Sequence, residues 1–139
     1  MGYWGTGIFE GDQPLDAAHN YLHAVESNDP TLAVSYERTG WTGTDMAVIA
    51  VAQACGADMK ALSTLIEEAY EEEMAQLGEW NDGGGLARSL VVIEWYDRVT
   101  GKTEPYTLDN FNYELQERLG VYLQSEKHQR FMECKDILL

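Results

Sequence analysis

Apolar residues recur at helical spacing along most of this chain. Leu15, Ala18, Leu22 and Val25 follow a 3.6-residue period, which predicts a first helix from Pro14 to about Ser27. Asp12 or Gln13 caps it, Pro14 suits its first turn, and Asp16 favours its positive end. The run "NDP" at Asn28 to Pro30 breaks the pattern, and a short helix is expected from Pro30 to Arg38. Thr44 or Asp45 opens the next helix, which runs through Cys55. Its segment "MAVIAVAQAC" is apolar nearly all round, the mark of a buried helix, and is too short to span a bilayer. Gly56 occupies the usual helix-stop position.

Asp58 caps a further helix that reaches about Leu77. Leu62, Ile66, Ala69, Tyr70 and Leu77 share one face, and Glu67, Glu68, Glu71 and Glu72 share the opposite one. The loop "NDGGG" follows at Asn81 to Gly85. The stretch "LVVIEWYDRVTGKTEPYTL" is rich in β-branched and aromatic residues around a "TGK" turn. It predicts a hairpin with strands near 90–98 and 103–107. Its alternation is not clean, so a buried helix over 86–99 is the rival. Phe111, Leu115, Leu119 and Tyr122 stripe a last helix from about Asp109 to Ser125, and the tail "RFMECKDILL" suits a short strand or helix. The expected fold class is α+β, mainly helical: four to five helices around one core with a small β-hairpin.

The length of 139 residues fits a single domain, 1–139. Charge adds what the pattern lacks. Twenty-four Asp and Glu face nine Lys and Arg, net −15. Residues 1–85 hold fifteen acids and two bases, Arg38 and Lys60, net −13; residues 86–139 are net −2. Such a field repels phosphate backbones and anionic lipid and favours basic partners. Direct nucleic-acid and membrane binding are therefore not expected. Neither Cys55 nor Cys134 sits in a C-x-x-C pair, and no stretch resembles a signal peptide. A reducing cytoplasm is the expected setting, with Cys55 as a small core residue.

Three groups of residues invite a chemical reading. Asp16, His19 and His23 fall at i, i+3 and i+7, on one side of a helix, and their lone pairs suit zinc or iron. The same face is where solvated residues belong anyway. Glu73 falls inside the apolar face of its helix, apart from its acidic neighbours. A buried carboxylate needs a partner such as Arg88 or Arg98, or else becomes a general acid or base. Glu67, Glu68, Glu71 and Glu72 form a concentrated negative strip. Like charges at i, i+4 oppose the helix by a few tenths of a kcal/mol each. The strip is an ordinary solvated face or a docking surface for Lys and Arg. Phosphate-loop, nucleophile-elbow and zinc-ribbon templates are missing, and the third histidine, His128, reads as exposed.

The chain opens "MGYWGTGIFEGD". The glycines are not spaced as a dinucleotide loop, and Glu10 and Asp12 would repel a phosphate. A structural clasp is expected instead, with Trp4 and Phe9 anchored in the core and Gly5 and Gly7 turning the backbone between them. This stretch resembles the start of a bacterial family of uncharacterised small domains whose members often begin M-G-x-W-G-x-G-x-F-x-x-D. Met1, Gly2, Trp4, Gly5, Gly7, Phe9 and Asp12 carry the likeness, which covers about the first twenty residues. The resemblance implies a small cytosolic domain of a bacterium or its phage, and brings no catalytic residue with it.

Together these features point to an acidic, non-enzymatic interaction protein without a cofactor. It would bind a basic surface on a partner protein, as immunity proteins and phage-encoded inhibitors of defence systems do. In the extreme form it is a DNA mimic, occupying the channel of a nucleic-acid-binding protein. The alternative is a small metal-dependent hydrolase using Asp16, His19 and His23. A homo-oligomer is a third possibility, since four Trp and eight Tyr can cover an interface as well as a core.

Overall fold

The computed structural model describes residues 12–27, 42–57, 59–76, 84–126, 128–130 and 132–133. They form five α-helices: α1 (Asp12–Ser27), α2 (Thr42–Ala54), α3 (Ser63–Gln76), α4 (Gly84–Val99) and α5 (Tyr113–Leu123). A single 3-10 turn, Leu108–Asn110, precedes α5. Among the described residues there is no strand. None of their helices is long and apolar enough to cross a membrane. The expected helix at 30–38 lies outside the described residues, as does most of the tail.

α2 is the centre of the packing. It touches α1, α3 and α4, and every residue from Thr44 to Ala52 is buried. This is what a helix apolar on all sides requires: its surface must be covered from every direction. One continuous cluster joins Ala18 and Leu22 of α1 to Ile66 and Ala69 of α3 and Val92, Trp95 and Val99 of α4. It continues into Leu115, Leu119 and Tyr122 of α5. The Trp95 indole N–H donates to the Met46 carbonyl at 2.9 Å, so its one polar atom is satisfied inside the core.

The hairpin expected over 90–107 does not form: residues 84–99 are helical. Arg88, Val92, Trp95 and Val99 are the buried positions, spaced four, three and four apart, which is a helix face. Burial against α2 and α3 outweighs the strand preference of the Val, Ile and aromatic content. The "TGK" turn is instead the end of α4. Gly101 has φ +85°, its N–H reaches the Arg98 carbonyl, and the Lys102 N–H reaches back to that of Asp97 at 2.8 Å. This is the reciprocal pair of bonds of a Schellman cap. Gly56, with φ +94°, ends α2 in the same way: its N–H bonds to Gln53 and that of Ala57 to Ala52, both at 3.0 Å.

After the cap the chain runs irregularly through 104–107 and is pinned by Gln53. The Gln53 amide donates to the Arg98 carbonyl and accepts from the Tyr106 N–H, both at 2.9 Å. The last helix starts later than its stripe suggests. The Asn112 side chain accepts from the Leu115 N–H at 3.0 Å and caps α5, so Phe111 packs as an apolar residue ahead of the helix.

Candidate functional site

α3 runs S-T-L-I-E-E-A-Y-E-E-E-M-A-Q and carries five glutamates and no base. Its buried positions are Ile66, Ala69 and Glu73. Their spacing turns Glu67, Glu68, Glu71 and Glu72 outward, and all four are exposed. The predicted acidic strip is thus present as one face of one helix. Glu67 and Glu71 stand one turn apart, on the side nearer α4, and Glu68 and Glu72 lie further round.

Glu67 is held in place. Its carboxylate accepts a hydrogen bond from the Tyr96 hydroxyl of α4. The Tyr96 ring stacks on Tyr70 of α3 with centroids 4.2 Å apart, and the Lys102 ammonium lies 6.0 Å from the same ring. The bond to Glu67 favours the protonated phenol, and partial burial adds to it, so Tyr96 is pushed up to about 12.

A cleft of about 200 Å³ opens beside this corner. Met59, Ile66 and Val99 give it apolar walls, and Lys60, Ser63, Glu67 and Thr100 surround them. It exists because α4 stops at Val99. The Gly101 cap carries the chain away there, next to the first turn of α3. Its volume is below the roughly 300–1,000 Å³ of small-molecule and cofactor sites.

The buried carboxylate foreseen in α3 is present and has its base. The Arg88 Nε donates to Glu73 Oε1 at 2.8 Å, with the arginine side chain 1% exposed and the glutamate 8%. Arg88 also approaches the Met46 sulfur at 4.0 Å. Arg98, the other candidate base, pairs with Glu94 one turn away and lies over the Tyr106 ring. Glu73 therefore ties α3 to α4. Asp45 is likewise fully buried in α2.

Asp16 and His23 are exposed on α1, whereas His19 turns toward α5. The His19 Nδ1 lies 3.3 Å from an Arg118 guanidinium nitrogen, and Nε2 lies 3.9 Å from a Glu114 oxygen. A guanidinium only donates, so in this contact Nδ1 is placed as the acceptor. Among the described residues no three His, Cys, Asp or Glu side chains are grouped to hold one. Trp4, Gly5, Gly7 and Phe9 lie outside the described residues, so the expected clasp does too. Cys55 is a buried thiol, as anticipated.

Residue patterning alone missed Tyr96, Met59, Val99 and Thr100 as parts of the site. Reading 86–99 as a helix would have aligned Arg88 with Glu73 and Tyr96 with the acidic face. No protein family, no curated protein and no solved structure matches the chain.

Proposed function

We propose that this chain is a non-enzymatic interaction module of the cytoplasm that docks a basic surface of a partner protein on the glutamate face of α3. The observation that carries the reading is a helix with four outward glutamates and no base. Four exposed carboxylates on one helix face concentrate negative potential where Lys or Arg side chains of a partner would be attracted. A net charge of −15 would also steer a basic partner and raise its association rate by about 10–10³-fold at low salt. An inhibitor or immunity-type role fits this charge, including occupation of the basic channel of a nucleic-acid-binding protein.

The test is capture of host proteins by the full chain and by its triple variant Glu68→Lys, Glu71→Lys and Glu72→Lys. Glu67 is spared because it also holds Tyr96. A partner retained by the native face, lost by the variant and released by salt supports the reading. Equal retention by both overturns it.

A further inference from the structure

The cleft at the edge of the acidic face has the properties of a receptor for one side chain. Its walls are Met59, Ile66 and Val99, and its volume of about 200 Å³ is below the range of cofactor sites. Methionine is an adaptable wall, since its thioether can follow the shape of what enters. Ser63 and Thr100 are small at the rim, which they share with Lys60 on one side and Glu67 on the other. Glu67 lines the cleft and also begins the acidic strip, and Glu71 follows one turn, about 6 Å, along the same side. An apolar group seated there would therefore place its neighbours beside carboxylates.

We infer that this cleft takes a single aliphatic or aromatic side chain from the partner, within a segment whose flanking residues are Lys or Arg. The inference rests on the docking role proposed above and adds the recognition element to it. Charge selects the occupant. A second copy of the chain would bring a further −15, and an anionic lipid or nucleotide would be repelled in the same way. A basic segment without an apolar residue would satisfy the glutamates but leave the cleft to water. Small, centrally placed pockets filled by one anchor residue are where binding energy concentrates in protein interfaces. The strip supplies attraction and the cleft supplies register.

Two labelled synthetic peptides test this against the full chain by fluorescence anisotropy. Both are arginine-rich; one has a single central leucine, and the other has glycine in its place. The leucine peptide is expected to bind about tenfold tighter or more, from burial of its side chain. The methyl signals of Ile66 and Val99 should shift with it alone. Ser63→Trp, which plugs the mouth at an exposed position, should bring the leucine peptide to the affinity of the glycine peptide. Equal affinities for the unaltered chain would overturn the cleft while leaving acidic docking intact. Binding of neither peptide at low salt would overturn both. A leucine advantage that survives Ser63→Trp, in a chain still folded by circular dichroism, would place the apolar contact elsewhere and overturn the cleft. The two-peptide comparison on the unaltered chain stands whether or not the variant folds.

Discussion

Glu73→Leu should be among the most damaging single substitutions in this protein, although it replaces a charge in the core by a hydrocarbon. Opposite charges 2.8 Å apart attract by about 6 kcal/mol at an effective dielectric constant near 20. Burying each ion costs several kcal/mol, so the intact pair contributes little in total. Removing Glu73 alone deletes the attraction and keeps the cost of the Arg88 guanidinium, whose side chain is 1% exposed. That cost is about 3–5 kcal/mol. Arg88 cannot escape by losing its proton. The double variant, Glu73→Leu with Arg88→Met, should lose less than the two single losses added together, because it removes both members of the pair at once.

Urea unfolding followed by far-ultraviolet circular dichroism measures this directly. With a slope of about 2 kcal/mol/M, the Glu73→Leu midpoint should fall by about 2 M. Domains of this kind have only about 5–15 kcal/mol in total, so the milder Glu73→Gln serves as an intermediate point. A Glu73→Leu chain as stable as the native one would refute the reasoning, and so would a double variant that simply adds the two single losses.

Three further predictions concern elements around the site. Tyr96→Phe should remove one tyrosinate transition near pH 12 from a spectrophotometric titration. Because folded Tyr96 sits above its ordinary value, its contribution is complete below about pH 10 and lost as pH rises toward 12. The stability gap between the native chain and Tyr96→Phe should therefore shrink over that window, and a constant gap would refute the Glu67 bond. Gly101→Ala should cost about 1–2 kcal/mol in thermal or urea unfolding through backbone strain alone. The added methyl would meet nothing within 4 Å, so an unchanged midpoint would contradict the φ of +85°. Asn112→Ala should cost about 1 kcal/mol and Asn112→Asp should largely restore it, as expected of the cap on α5.

The helices legible in the sequence are those whose stripe is mostly apolar, including α3 although Glu73 interrupts it. Phe111, Leu115, Leu119 and Tyr122 are all buried, as their spacing implies, and α2 is enclosed as its composition demands. α4 was ambiguous for two physical reasons. Its stripe begins with an arginine, and Leu90 and Ile93 on its outer side are 61% and 40% exposed, which blurs the period. Its stop signal is a glycine with positive φ, which a tight strand turn needs as much as a helix cap does. Glu73 gave the missing clue. A carboxylate inside an apolar face demands a base, and Arg88 serves only if its own segment is a helix that turns it inward.

The same contrast divides the candidate site. Four glutamates on one helix face are a local pattern and can be counted along the chain. The Tyr96–Glu67 bond joins residues 29 positions apart, and the cleft is closed by Val99 and Thr100 against the first turn of α3. Neither exists until α4 is laid against α3. Glu67 belongs to both parts: it is the first carboxylate of the strip and a wall of the cleft. Tyr96 fixes it in position, so it loses less rotamer freedom on binding than a mobile surface glutamate would. A strip of charge alone attracts any basic surface. A carboxylate held beside an apolar cleft distinguishes among them, and this juxtaposition gives the acidic face grounds for specificity.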